Sequence, residues 1–292
     1  MDGSAQPSLL PYFAAMAMLI AAILMGEKIE HASASPEAVE RYLEHELEAR
    51  VGAVLEWDHG RRAEVERIAD EPALRAALER ALRDRDGSQG ARSTELGALL
   101  ADLCADLKAC TVARADGSVL AAHRDRAVPA DLVRRAARGR TVSSPLVSRG
   151  TEEPFHGPTY SVFFATPIVA EGEVRGVVVG RVRPDEELAP ILGDRPPGRT
   201  GETYAVDPRG FMVTRSRFDA RRHRAPTREA WPAGAAAPLP AVAALDRSGS
   251  DVRGYLDYRG VRVVGAWRWI DELGAGVVTE MDVVEAFQLG AQ

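Results

Sequence analysis

The strongest constraint on the fold of this 292-residue chain is a strand pattern that occurs twice. Each copy has two short apolar runs around a turn, then a helical or irregular crossing, then three further strands. The first copy opens with 110–114 and 119–123 around an Asp-Gly turn, which is typical of a β-hairpin. The second opens with 202–206 and 211–215, at an offset of about 93 residues. The later strands are predicted at 141–148, 160–169, 174–182, 252–257, 261–270 and 275–280. The duplication predicts two antiparallel sheets of five strands each.

Helices are predicted mainly ahead of the strands. Ser35 is a good N-cap, and Pro36 suits the first helical position after it. One face of the resulting long helix is apolar, through Val39, Leu43, Leu47, Val51, Val54 and Leu55. A second helix is predicted over 72–83, and a third from Glu95 with Thr94 as its N-cap. Short helices follow at 129–138, at 184–192 and from Val283. The fold class is therefore α+β. The apolar stripe can either pair with its twin in a homodimer or cover the sheets.

An uncharged run, Leu9–Met25, is about 17 residues long, which is close to the minimum for a membrane-spanning helix. The alternative is a cleaved signal peptide, because residues 32–34 read Ala-Ser-Ala. No Lys or Arg precedes the run, however, and the polar segment 26–31 separates it from that cleavage motif. We therefore expect an uncleaved membrane anchor, with residues 1–8 in the cytoplasm and the rest of the chain on the extracytoplasmic side.

The composition excludes several classes of function. A net charge of −6 provides no basic field, so no nucleic-acid partner is expected. The two cysteines, Cys104 and Cys110, are spaced wrongly for a CxxC redox site or a zinc site. In an oxidising compartment they could form a disulfide, and otherwise they remain two buried thiols. The six histidines form no i,i+4 pair, and no nucleophile motif is present. We therefore expect no metal, no cofactor and no enzymatic activity.

Several segments of the second copy resemble the double Cache sensor domains of bacterial receptors. Residues 198–207 read GRTGETYAVD, similar to the start of a membrane-proximal Cache lobe, and 216–218, 264–269 and 276–282 fit the same lobe. The resemblance covers roughly residues 36–287. It implies a long N-terminal helix followed by two tandem PAS-like (Cache) lobes, each an antiparallel sheet with flanking helices.

This resemblance implies the extracytoplasmic ligand-sensing region of a transmembrane signalling receptor in the cytoplasmic membrane. A small molecule would bind in the membrane-distal lobe, and the helices would pass on a conformational change. The alternative is a membrane-anchored binding module without its own signalling output, because the chain stops about where a second membrane span would begin. The implied segments are 1–8, cytoplasmic; 9–25, anchor; 26–94, helical stalk; 95–192, distal lobe; 193–200, linker; 201–282, proximal lobe; and 283–292, a helix towards a second span.

The binding residues of the amino-acid-sensing relatives are not matched here. Those relatives use an Arg-x-Trp-aromatic stretch, a Tyr-x-Asp and an Asp on the last distal strand. In this chain 127–140 contains no Trp or Tyr, and Leu146 and Ser148 stand where the Tyr and Asp would be. Arg181 stands about where the last acid would clamp an ammonium group, which an arginine cannot do. Amino-acid sensing in that mode is therefore not expected.

An arginine fork suits a carboxylate or a phosphate instead. With Arg149, Ser148 and Tyr160 on neighbouring segments, Arg181 predicts a small anionic ligand such as a carboxylate. The alternative is that Arg181 pairs with a nearby acid at the junction between the lobes. In the second copy, Trp267 and Trp269 share one face of a strand, where they either pack in the core or contact a ligand.

Overall fold

The structure is a computed structural model that describes residues 34–83, 89–149, 159–208, 212–218 and 248–288. The predicted anchor Leu9–Met25 lies outside these residues, as does the segment 219–247, which belongs to the predicted irregular crossing of the second copy. The helices are α1 Pro36–Asp70, α2 Pro72–Arg83, α3 Gln89–Leu103, α4 Ala130–Ala136, α5 Pro184–Gly193 and α6 Val283–Gln288. The strands are β1 Ala109–Ala113, β2 Val119–His123, β3 Val142–Ser143, β4 Val147–Arg149, β5 Thr159–Ala170, β6 Glu173–Val182, β7 Glu202–Val206, β8 Ser248–Leu256, β9 Arg262–Ile270 and β10 Ala275–Asp282.

Two antiparallel sheets are present, as the duplication predicts, but in the described residues the first has six strands and the second has four, not five each. The first has the strand order β2-β1-β6-β5-β3, with β4 also paired to β5, and the second has the order β7-β10-β9-β8. The predicted strand 141–148 is split into β3 and β4 around Pro145, which has no N–H to donate to a ladder. The predicted strand 211–215 is reduced, in its described part, to a single bridge between Met212 and Val206. We call the first sheet with α2–α5 the first lobe, and the second sheet with α6 the second lobe.

Helix α1 is shared by both lobes. Its N-cap is Ser35, whose hydroxyl accepts a hydrogen bond from the Ala38 N–H at 3.2 Å. Five of the six stripe residues are buried in the main hydrophobic core and the sixth packs against it: Val39, Leu43, Leu47, Val51, Val54 and Leu55. The structure therefore uses the stripe to cover the sheets. Within the predicted stalk 26–94, α1 packs along both sheets, and a homodimer through this helix would need its outward, charged face.

Three local predictions need correction or completion. The third helix begins at Gln89, not at Glu95, so Thr94 lies inside the helix and is not its N-cap. Strand β8 begins at Ser248, four residues before the predicted start. Cys104 and Cys110 form a disulfide, with their Cα atoms 6.1 Å apart. This bond joins the segment after α3 to β1.

Direct contacts hold the two lobes together. The backbone N–H of Leu146, in the first lobe, donates to the carbonyl of Leu273 in the second at 2.8 Å. The Tyr160 hydroxyl donates to Oδ2 of Asp207, at the end of β7, at 3.1 Å. Both of these side chains are buried, at 1% and 2% exposure. The boundary between the lobes is therefore partly polar and shielded from water.

Candidate functional site

The face of the first sheet that points away from α1 is covered by α4. Side chains of a strand alternate between the two faces, so every second residue of β5 and β6 points to this side. These residues form an apolar cluster with α4, and its buried members are Ala113, Leu132, Val133, Ala136, Phe163, Ala165, Val177 and Val179. The described part of this face is therefore apolar at its centre, and polar contacts to a ligand must come from its ends.

Arg181 lies at one end of this face. Its register partner on β5 is Phe163, which belongs to the apolar cluster. Its guanidinium Nη1 donates to Oδ2 of Asp125, and the side chains are 15% and 27% exposed. Asp125 lies in the connection from β2 to α4, where its Oδ1 accepts from the Ala127 N–H at 2.9 Å. The structure thus contains the predicted alternative, in which Arg181 pairs with an acid. That acid, Asp125, belongs to the first lobe and does not lie at the lobe junction.

Tyr160 points to the opposite face of the same sheet. It lies three residues from Phe163 on β5, so its side chain joins the core on the α1 side, where its hydroxyl reaches Asp207. Ser148 is exposed and stands opposite Tyr160 in the β4–β5 ladder. Arg149 stands opposite Thr159, and its side chain lies outside the described part. The structure therefore does not bring Tyr160 and Arg181 together around one ligand.

The second lobe carries a buried polar cluster that the sequence analysis missed. On β7 and β10, Glu202 and Glu280 are direct register partners, and they are only 2% and 1% exposed. Oε2 of Glu280 accepts hydrogen bonds from the hydroxyls of Tyr204 at 3.1 Å and Tyr255 at 3.0 Å. The available signal was a glutamate inside the apolar strand Ala275–Asp282, because a glutamate is almost never fully buried without a structural or functional reason.

Glu202 is hydrogen-bonded on both oxygens. Its Oε1 accepts from the Tyr258 hydroxyl at 2.5 Å, and its Oε2 accepts from the Ser216 hydroxyl at 2.7 Å and from the Arg217 N–H at 3.3 Å. Burial raises the pKa of Glu202, while the hydrogen bonds from Tyr258 and Ser216 and the nearby charge of Arg259 oppose that rise. These contacts favour a charged carboxylate at this position.

Glu280 is in the opposite situation. Burial, and after it the negative charges of Glu202 and Asp257, raise its pKa to about 8, although the hydroxyls of Tyr255 and Tyr204 act against the rise. No described residue donates a hydrogen bond to its buried Oε1. A proton is therefore held more tightly here than by an ordinary glutamate.

A glycine makes this arrangement possible. Gly265 on β9 stands opposite Glu280, and a Cβ atom at this position would lie 2.1 Å from the Tyr255 hydroxyl oxygen. Only a residue without a side chain therefore lets Tyr255 cross the sheet and reach Glu280.

The two tryptophans of the second lobe lie in a small cluster on the same face. Trp267 is buried and Trp269 is half-buried, and they pack with Tyr204, Val206, Met212 and Val278. Core packing is therefore their observed role. An open cleft of about 270 Å³ borders Trp267 between α1 and the β8 edge, lined by Glu44, Leu47, Glu48, Ser248, Gly249, Trp267 and Arg268.

Comparison with known proteins gives matches among solved structures only: no protein-family profile and no curated protein matches the chain. The ligand-binding domain of the Pseudomonas aeruginosa PAO1 amino acid chemoreceptor PctC, in complex with GABA, covers 83% of this chain and 99% of its own, at 17% identity and a TM-score of 0.51. That of PctB from the same organism, with L-Arg, covers 86% and 98%, at 19% identity and a TM-score of 0.51. The sensory domain of the Campylobacter jejuni chemoreceptor Tlp3, with isoleucine bound, covers 86% and 94%, at 13% identity and a TM-score of 0.52.

These similarities define the class of fold. The chain has the two-lobed α+β fold of chemoreceptor ligand-binding domains, with a long N-terminal helix and an antiparallel sheet in each lobe. The resemblance to double Cache sensor domains is confirmed at the level of the fold.

None of the helices described here has the length and apolar character needed to cross a membrane. In the same part of the chain, no group of three or more His, Cys, Asp or Glu side chains is arranged to hold a metal ion.

Proposed function

We propose that this chain is the extracytoplasmic ligand-sensing region of a bacterial transmembrane signalling receptor. The observation that carries the proposal is the arrangement of two lobes along one helix, shared over most of the chain with sensory ligand-binding domains. Those domains hold small molecules in their structures: GABA, L-Arg and isoleucine. We further propose that this region binds a small molecule and has no catalytic activity of its own.

The proposed ligand is a small anion such as a carboxylate, held at the α4-side face of the first lobe by Arg181 and Arg149. Arg181 supports this because it is a partly exposed cation at the end of an apolar face. A ligand carboxylate would have to share or displace the ion pair with Asp125. Ser148 is exposed on β4, next to Arg149. Tyr160 belongs to the boundary between the lobes, where its hydroxyl donates to Asp207, and it is not part of the proposed ligand site.

The location is part of the same proposal. Residues 9–25 would anchor the chain, with 1–8 in the cytoplasm, and 95–192 and 201–282 would be the membrane-distal and membrane-proximal lobes, joined by 193–200. The Cys104–Cys110 disulfide supports an oxidising compartment. The Ala34 N–H donates to the Phe287 carbonyl at 3.0 Å, so the start of α1 and the end of α6 lie side by side, as two connections to one membrane require. A homodimer through the long helix stays a prediction.

A thermal-shift screen of residues 34–288 tests the ligand class. A panel of monocarboxylates, dicarboxylates and amino acids is added, and the melting temperature is recorded. A ligand present at a hundred times its Kd raises the free energy of unfolding by about 2.7 kcal/mol. For a chain of this size, this corresponds to a rise in melting temperature of about 5–10 °C. We expect that shift for a carboxylate that lacks an ammonium group, and not for the amino acids.

The matched variants separate the site from general stability. The double substitution Arg181→Gln with Asp125→Asn removes both charges of the ion pair, so no single buried charge is left behind. It should abolish the shift, whereas Arg175→Gln, on the exposed end of the same strand, should keep it. Stabilisation by amino acids alone would contradict the ligand class, and a panel without any stabilising compound would contradict small-molecule sensing.

A further inference from the structure

The Glu202–Glu280 pair of the second lobe poses an electrostatic problem. Side chains of register partners in an antiparallel ladder lie about 5 Å apart, and like charges at that distance repel each other. Both carboxyl groups are buried, so water does not screen the repulsion. A structure with two charges here is therefore costly, whereas one with a single shared negative charge is not.

The hydrogen bonds favour Glu280 over Glu202 as the group that holds the proton. Glu202 receives three hydrogen bonds, on both oxygens, as a charged carboxylate requires. Glu280 receives two hydroxyl hydrogen bonds on Oε2 alone, and among the described residues no donor reaches Oε1. A protonated carboxyl fits this pattern, with its carbonyl oxygen at Oε2 and its proton on Oε1. Burying an O–H group without an acceptor costs less free energy than burying a charged carboxylate that has one oxygen without a donor.

Among the described residues, none of the groups that face Glu280 is a cation that could neutralise it. From β7 it faces Glu202 and Tyr204, from β8 Tyr255, and from β9 Gly265. Asp257 and Asp251 add further negative charge near the cluster. Arg259, whose charge acts on Glu202, is paired with Asp257 at 2.5 Å and with Asp282 at 3.1 Å.

The position of Glu280 connects it to the chain's exit from the second lobe. Strand β10 continues without a break into α6 at Val283, three residues later. Glu285 of α6 accepts the N–H groups of Arg199 and Thr200 at 2.8 and 2.7 Å, and the Phe287 carbonyl accepts the Ala34 N–H. A change in the pairing of β10 is therefore passed directly to α6, and from there to the lobe linker and to the start of α1.

We propose that Glu280 is a proton-binding site of the second lobe, and that losing its proton to water loosens the β7–β10 pairing and shifts α6 relative to the start of α1. Because burial and the neighbouring charges raise the pKa of Glu280 to about 8, the proton is present at neutral pH and is lost in mildly alkaline medium. Only the signalling meaning of the shift rests on the proposed function. The proton site and the carboxylate site lie in different lobes, so either can fail alone.

The sign of the pH dependence follows from linkage. The pKa of Glu280 is raised in the folded chain, so its stabilising proton is fully bound below the unfolded-state pKa and the benefit is lost as pH rises through the folded-state pKa. Relative to Glu280→Gln, the wild-type chain should lose melting temperature from about pH 5 upwards and reach a plateau above about pH 9, with a total on the order of 10 °C.

Two matched variants shift the titration in opposite directions. Glu202→Gln removes the neighbouring negative charge and should lower the pKa of Glu280. Tyr255→Phe removes a hydroxyl that stabilises the charged form and should raise it. Infrared difference spectra of the full chain follow the protonated carboxyl band directly, and this band should be missing in Glu280→Gln. A band that is absent at neutral pH, or that persists unchanged in Glu280→Gln, overturns the assignment of the proton.

The movement of α6 is measured separately. Both native cysteines are in the disulfide, so spin labels can be attached at Glu37→Cys in α1 and Val284→Cys in α6, which are exposed positions. The distance between the labels in the full chain should change between about pH 6 and about pH 9.5, and stay constant in the Glu280→Gln background. A distance independent of pH in both backgrounds refutes the coupling to α6.

Discussion

Replacing Tyr160 by phenylalanine removes a single hydroxyl from the boundary between the lobes. That hydroxyl donates to Oδ2 of Asp207 at 3.1 Å, and both residues are almost fully buried. A hydrogen bond to a charged group contributes about 1.5–3 kcal/mol to the free energy of unfolding. For a chain of this size, about 2–4 °C of melting temperature corresponds to 1 kcal/mol. We therefore expect Tyr160→Phe to melt about 3–12 °C lower than the wild type.

Differential scanning calorimetry of residues 34–288 measures this loss. Thr159→Ala is the control, since Thr159 is the exposed neighbour of Tyr160 on β5 and such surface changes stay within about 0.5 kcal/mol. The same samples then go into the ligand screen, where Tyr160→Phe should give the wild-type ligand shift. An unchanged melting temperature combined with a lost ligand shift would refute our assignment, because it would place the hydroxyl on the ligand and not on Asp207.

Two further predictions concern stability. Replacing Cys104 and Cys110 by serine opens a short loop and should cost about 2 kcal/mol, measured by urea denaturation, and adding a reductant to the wild-type chain should have the same effect; equal stability with and without reductant would contradict the bond. Gly265→Ala places a methyl group against the Tyr255 hydroxyl and should lower stability by about 1–3 kcal/mol in the same assay. Combining it with Tyr255→Phe should recover part of that loss, and no recovery would mean that the clash lies elsewhere.

The helices and strands were largely predictable because their signals are local. Ser35 and Pro36 mark the start of α1, and the range of α2 was predicted as observed. The start of α3 was wrong because a capping signal contributes only about 1 kcal/mol, and Thr94 competed with the good helix formers Gln, Ala and Arg that precede it. Local preferences of this size predict whether a helix or strand forms better than they predict the residues at which it begins and ends.

The candidate site was less predictable because it depends on strand register. A tight β5–β6 hairpin without irregularity would place Arg181 opposite Val162, on the same face as Tyr160. The structure has a bulge near Ile168 and Val169, beyond which Phe163 is the partner of Arg181. A one-residue slip moves every side chain to the other face, so this bulge separates Arg181 from Tyr160. The Glu202–Glu280 pairing needs the β7–β10 register in the same way.

The sharing of α1 between the lobes also has a mechanical consequence. A 35-residue helix is about 52 Å long, so it acts as a lever whose two arms rest on different sheets. The first arm is bonded to the second lobe through Ser250 and Glu40, and the far arm contacts the first lobe at Val65. Gly52 lies between the arms and Gly60 lies in the far arm, and a Cβ atom at either position would meet nothing within 4 Å. Because a glycine inside a helix lowers stability by about 0.5–1 kcal/mol relative to alanine, substitution of either glycine by alanine should stiffen the lever without disturbing its contacts to the lobes.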